Sequence, residues 1–136
     1  WYFWGKNYHS SSLTTRNASS STEESYVTSE LQKMQSQFTS KGIPVLLGEF
    51  GAIRRTGTAG LTGTELNRHL ASRTYFDKYV VSQANSLGIR PVYWDDSDNG
   101  TGNNAFGIFN RSTGVLTRPD DARALTGGAA LPPPGG

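Results

Sequence analysis

One local pattern occurs twice in this chain, and it restricts the fold more than any other feature: an apolar stripe at helical spacing, a glycine, then at once a short apolar run. In the first copy Val27, Leu31, Met34 and Phe38 recur at spacings of four, three and four, which predicts a helix over about 22–40. Ser21 and Glu24 form a capping-box signature at its start, and Gly42 supplies a left-handed stop. Residues 43–47 follow as a strand expected to be buried on both faces. In the second copy Thr62 and Glu65 make the box, and Leu66, Leu70, Phe76, Tyr79, Val80, Ala84 and Leu87 carry the stripe. Gly88 stops that helix, and residues 89–94 form the second strand, with Pro91 tolerable where its nitrogen need not enter the ladder. A strand reached through a helical crossover runs parallel to its predecessor, with a right-handed connection.

Both strands end in carboxylates. Glu49 follows the first, held between Gly48 and Gly51, and Asp95, Asp96 and Asp98 follow the second. In open α/β sheets and in (β/α)8 barrels the C-terminal strand edge is where ligands bind. Beyond it, residues 105–110 and 115–116 flank a turn and read as a small hairpin or an extended loop, and residues 117–125 read as a short last helix capped by Thr117. The tail, 127–136, has linker composition.

Composition removes several classes. A net charge of +2 with no basic run longer than Arg54-Arg55 argues against a nucleic-acid interface. No apolar run approaches a membrane span. The absence of Cys rules out disulfides and thiolate chemistry, and only His9 and His69 remain as imidazoles, which argues against a zinc site. The Asp95–Asp98 acids loosely resemble a Ca²⁺ loop but lack its distal Glu, so a rim loop is the better reading. Three Trp, six Tyr and six Phe in a polar chain favour a surface that stacks on flat ligands such as sugars. Two βα units fall far short of the roughly 250 residues of a closed barrel. The chain, which opens on Trp1-Tyr2-Phe3-Trp4, is therefore expected to be part of a longer protein.

The residues 42–51, Gly-Ile-Pro-Val-Leu-Leu-Gly-Glu-Phe-Gly, resemble the seventh strand of the family 5 glycoside hydrolases, the cellulase family. Pro-Val-Tyr-Trp-Asp at 91–95 resembles the eighth strand, and Gly-Ile-Phe-Asn-Arg at 107–111 the segment after it. The aromatic residues 1–10 are similar to an insertion between strand six and helix six of bacterial endoglucanases. The resemblance implies that residues 1–126 are the C-terminal part of a (β/α)8 barrel, with 127–136 a linker to another module such as a carbohydrate-binding one.

It further implies a secreted, cofactor-independent retaining endo-β-1,4-glucanase acting on cellulose or a related β-glucan. Glu49 would be the nucleophile, Trp94 a platform under the sugar, and Asp95 and Trp4 further substrate contacts. Alternatives are a mannanase or xyloglucanase of the same family, and a catalytically silent carbohydrate-binding fragment or interaction domain. The family's acid/base lies in an Asn-Glu-Pro-like motif, and none of Glu23, Glu24, Glu30, Glu49 and Glu65 follows an Asn. The chain alone is therefore expected to lack appreciable glycosidase activity, and to associate through the apolar faces and open edges of its strands.

Overall fold

The computed structural model describes residues 18–54, 62–102 and 104–127, with backbone alone for 18–23, 65 and 68. Its elements are helix α1 (Ala18–Gln37), a 3₁₀ turn (Thr39–Lys41), strand β1 (Val45–Phe50), helix α2 (Gly63–Ser86), strand β2 (Ile89–Tyr93) and helix α3 (Pro119–Leu125). The expected alternation is present, and β1 and β2 pair in parallel. Gly42 and Gly88 both take positive φ, 75° and 74°, at the two helix-to-strand turns, a conformation that glycine adopts without steric cost.

The helix boundaries differ from the sequence reading in instructive ways. Helix α1 starts at Ala18, so Ser21 lies inside it and is not its cap. The carboxylate of Glu24 instead accepts a 2.6 Å hydrogen bond from the Tyr75 hydroxyl of α2. Thr62 does occupy the N-cap position of α2 but makes no side-chain cap bond. At α3 the N-cap is Arg118. Thr117 turns away to bond Asn99 Oδ1 and the Ile108 carbonyl, so its hydroxyl serves the preceding loop.

The core lies between the two long helices and one face of the sheet. Leu31 of α1, Ala84 of α2 and Ile89 of β2 form one buried cluster, with Val27, Met34, Val45, Leu47 and Leu87 packed around it. Phe76 and Val80 of α2 join Ala52 in a second, which Leu47 and Phe50 extend. Burial of a side chain such as Ile89 contributes about 1.5–3 kcal/mol. Polar links reinforce the helix pair: the Thr28 and Tyr79 hydroxyls are 2.7 Å apart, and Thr39 donates to the Leu87 carbonyl at 2.8 Å.

The expectation that the first strand is buried on both faces is not met. Ile43 and Pro44 precede the strand, and within it only Val45, Leu47 and Phe50 face the helices. Leu46 is 65% exposed, and Ile43, Val92 and Trp94 are also open. A strand of a parallel sheet is apolar on both faces because both are normally covered; the described residues cover one.

Candidate functional site

Two consecutive strand residues normally point to opposite faces. Strict alternation from Leu47 would put Gly48 on the open face, Glu49 against the helices and Phe50 outward. The structure breaks the alternation. Leu47 pairs with Pro91 and Phe50 with Tyr93, so three steps on β1 match two on β2. One residue is extra, at Gly48–Glu49, which is a β-bulge. Both Gly48 and Glu49 are consequently exposed, while Phe50 returns to the helix side. Phe50 there meets the Tyr93 ring edge-on at 5.7 Å. The bulge thus resolves a conflict in the sequence: the acid stays out of the core and the aromatic ring enters it.

Glu49 shares the open face with Val92, its neighbour across the bulge, and with Trp94, which is 47% exposed. The Trp94 amide donates to the Phe50 carbonyl at 2.9 Å, the last backbone link between the strands. A carboxylate and an indole therefore flank the C-terminal edge of the sheet. Gly48 has open space where a Cβ would stand. Gly51 does not: a Cβ there would lie 3.1 Å from the Phe106 ring and 3.6 Å from Tyr93. Neither glycine has positive φ, so close approach, and not a left-handed turn, is what Gly51 provides.

The acids after β2 hold their own loop. Asp95 accepts hydrogen bonds from the Ser97 and Ile108 amides at 2.8 and 3.0 Å, and Arg111 donates to its carbonyl and carboxylate. Partial burial pushes the Asp95 carboxyl up, but those amides and the Arg111 charge outweigh it and hold it below the usual carboxylate range. Asp96 accepts from the Asp98 and Phe106 amides, and Asp98 from the Gly100 amide. Gly107 closes the loop, with its amide on the Asp98 carbonyl and no room for a Cβ, which would stand 2.8 Å from that oxygen. Phe109 and Leu116 form one antiparallel bridge across the turn that the sequence suggested.

Trp4 and His9 lie outside the described residues, as does the tail beyond Gly127. His69 is fully buried. Among the described residues no cluster of three or more His, Asp or Glu is arranged to hold a metal, and no helix is long and apolar enough to cross a membrane.

The sequence reading missed a buried ionic cluster behind this edge. Arg73 and Asp77 of α2 and Asp121 of α3 are buried, as is Arg118 just before α3. Arg73 donates from Nη1 to Asp121 at 3.3 Å and from Nε to the Ala52 carbonyl at 3.0 Å. Asp121 also accepts from the Thr74 hydroxyl at 2.8 Å. Arg118 donates to the Ala105 and Gly100 carbonyls at 2.6 and 2.9 Å. Burial, then the charges of the neighbouring guanidiniums, lower the pKa of Arg54 and Arg118. Asp77 is fully buried, and neither of its oxygens has a hydrogen-bond partner. Burial first, and Asp121 second, push its pKa well above the usual range, with Arg73 opposing. One signal was available: His69, Arg73 and Asp77 recur every four residues, a polar row alongside the apolar stripe.

Residues 6–100 match the family model Cellulase (glycosyl hydrolase family 5). Endoglucanase A of Paenibacillus barcinonensis is 31% identical over 106 residues, 78% of this chain and 24% of that protein. Endoglucanase A of Clostridium longisporum is 34% identical over 113 residues, 82% of this chain and 19% of the relative. The chain thus spans a quarter or less of these curated relatives. Among solved structures, a family 5 xyloglucanase from Paenibacillus pabuli superposes with a TM-score of 0.66 at 31% identity, covering 77% of this chain and 27% of its own. A xyloglucan-specific β-1,4-glucanase from a ruminal metagenomic library gives 0.70 at 28%, covering 94% and 32%. The two parallel strands and their helices are a portion of the (β/α)8 barrel on which these proteins are built, consistent with its C-terminal end.

Proposed function

The chain belongs to glycosyl hydrolase family 5, and from that premise we propose that it carries the nucleophile side of a retaining endo-β-1,4-glucanase site. The observation that carries this reading is the bulge, which turns Glu49 onto the open sheet face beside Trp94, at the strand edge where barrel enzymes place their chemistry. In this reaction the Glu49 carboxylate attacks the anomeric carbon as the bond to the leaving oxygen breaks. A second carboxylic acid, about 5 Å away, gives that oxygen its proton. The same group then takes a proton from water, which attacks the anomeric carbon and releases Glu49 with the configuration retained. Trp94 stacks on the apolar face of a sugar ring.

The acid partner comes from a part of the enzyme that this chain does not carry. Glu24 and Glu30 ride on α1, Glu24 in a bond with Tyr75 and Glu30 with Lys33, and Asp95, Asp96 and Asp98 are occupied by backbone amides. On this reading the chain by itself is expected to lack appreciable glycosidase activity. Asp95, whose oxygens accept the Ser97 and Ile108 amides, holds the rim loop and is read as a further substrate contact. The 127–136 stretch is read as a linker towards a carbohydrate-binding module of a secreted enzyme. A second reading, xyloglucan as substrate, is favoured by the named specificity of the two superposed structures and of a Bacteroides ovatus xyloglucan-specific relative, 38% identical over 58 residues.

The test is chemical rescue of Glu49→Ala in the complete catalytic domain. The variant is expected to be inactive on aryl cellobiosides and, with azide, to form the α-glycosyl azide. Failure of rescue with wild-type turnover retained in the variant would contradict the assignment. Relative rates on xyloglucan and on unbranched β-glucan separate the two substrate readings.

A further inference from the structure

We infer that the first turn of α3 is a clamp that sets the position of Glu49 relative to Trp94, acting through Arg73 and Arg118 as positioning residues. The inference rests on the functional reading of Glu49 and Trp94 given above. Its starting point is where the backbone ladder ends. The last inter-strand backbone bond is Trp94 to Phe50, and the two loops that leave the sheet there carry the two groups in question. Past that bond, side chains from the helix layer hold each loop by a carbonyl.

The loop after Glu49 is held at Ala52, three residues on, by Arg73 Nε. Arg73 is 2% exposed, and its second contact is Asp121 in the first turn of α3. The loop after Trp94 is held at Gly100 and Ala105 by Arg118, the residue that enters the same turn. Arg118 is the N-cap of α3 and Asp121 its third residue, so both belong to the turn that opens the helix. A third link runs directly between the loops: Gly51 packs on Phe106, whose carbonyl accepts from the Tyr93 hydroxyl at 3.0 Å. One helical turn thus reaches both sides of the site by fixed hydrogen bonds. Among the described residues, the buried Arg73, Arg118 and Asp121 bond to loop carbonyls, to each other and to Thr74 and not to Glu49 or Trp94, so their effect on chemistry is through placement. A displacement of about 1 Å at a reacting group costs on the order of 100-fold in rate.

Arginine is required at both positions by geometry. Arg73 reaches a carbonyl and a carboxylate from one planar fork, and Arg118 reaches two carbonyls. A lysine ammonium keeps the charge but is a point donor on a flexible stem. The test therefore compares Arg73→Lys, Arg118→Lys and Asp121→Asn in the complete catalytic domain. The amide in the last keeps an acceptor for Thr74 while removing the charge. Competent sites are first counted by stoichiometric labelling with a 2-deoxy-2-fluoro cellobioside. Site-normalised kcat and KM are then measured on 2,4-dinitrophenyl cellobioside, whose departure needs no acid assistance, and each melting temperature is recorded.

Arg73→Lys is expected to lower site-normalised kcat by about 10- to 100-fold with KM changed less than about threefold. Arg118→Lys is expected to raise KM more than it lowers kcat, because it loosens the indole side. Asp121→Asn should show both effects, each weaker than in the corresponding lysine variant. Parental site-normalised constants in the folded variants overturn the inference. So does collapse of all three, which would assign the cluster to stability alone. Absence of labelling at Glu49 in the parent contradicts the functional reading and the clamp together, whereas labelling with unchanged constants contradicts the clamp alone.

Discussion

The two faces of the small sheet are made of similar residues and have different fates. On one face Val45, Leu47 and Ile89 sit against α1 and α2, and Phe50 and Tyr93 close the end as an edge-on aromatic pair. On the other, Leu46, Val92 and Trp94 are equally apolar but open, and Glu49 joins them. Local sequence does not separate the faces. What separates them is the register with the neighbouring strand and one extra residue, which together send Glu49 one way and Phe50 the other. The covered face holds the helices to the sheet, and the open face carries the proposed nucleophile.

That division predicts which substitutions harm stability and which harm activity. The largest effect is expected for Glu49→Gln: loss of a covalent nucleophile lowers kcat on the order of 10⁴-fold or more, while an exposed strand side chain changes stability by no more than about 0.5 kcal/mol. Parallel measurement of turnover and urea unfolding checks both halves. A variant that loses both would erase the distinction between the faces.

The next effect compares the faces directly. Ile89→Ala on the covered face should cost about 2–5 kcal/mol, whereas Leu46→Ala should stay within about 0.5 kcal/mol in this chain. In the complete catalytic domain the Leu46→Ala cost should exceed about 1 kcal/mol, because further barrel strands cover that face and a cavity is left. Equal costs for Leu46→Ala in the two contexts would mean that the open face is open in the enzyme as well.

Gly107→Ala should cost about 1–3 kcal/mol, because its Cβ would press on the Asp98 backbone, which cannot yield as a side-chain tip could. Thermal unfolding measures it, with Gly48→Ala as the control, where space for the methyl group is open.

The smallest effect concerns charge behind the covered face. Asp77 has a folded pKa raised well above its ordinary 3.8. The native state therefore keeps a proton that the unfolded chain has released. The stability that Asp77 allows is full below pH 3.8 and is lost as pH rises towards the folded pKa. Asp77→Asn should accordingly raise the melting temperature at pH 7, with the gain shrinking to nothing as pH falls below the ordinary value. A gain independent of pH would show that burial of Asp77 is not the cause.

Much of this was legible in advance. Apolar stripes closed by Gly42 and Gly88 gave both long helices and both strands, because helix period and left-handed stops are local properties. The Gly-Glu-Phe-Gly and Pro-Val-Tyr-Trp runs pointed to the edge where Glu49 and Trp94 stand. The bulge was not legible, since it depends on which β2 residue each β1 residue meets. The single-sided burial of β1 escaped for a related reason: an apolar run states what a strand can bury and not what is present to cover it. The cap failed at Ser21 because the helix already runs from Ala18, and at Thr117 because its hydroxyl answers to a contact elsewhere, with Asn99. The Arg73–Asp121–Arg118 cluster joins residues far apart in the chain, and only α2 carried a trace of it.

The central claim is that the bulged acid on the open face is the nucleophile. The most direct measurement is trapping of the glycosyl-enzyme in the complete catalytic domain with 2,4-dinitrophenyl 2-deoxy-2-fluoro-β-cellobioside, followed by peptide mapping of the adduct by mass spectrometry. One adduct per molecule, carried on Glu49 and absent in Glu49→Gln, is the expected result. An adduct on any other residue, or an active enzyme whose Glu49 is never labelled, would contradict it.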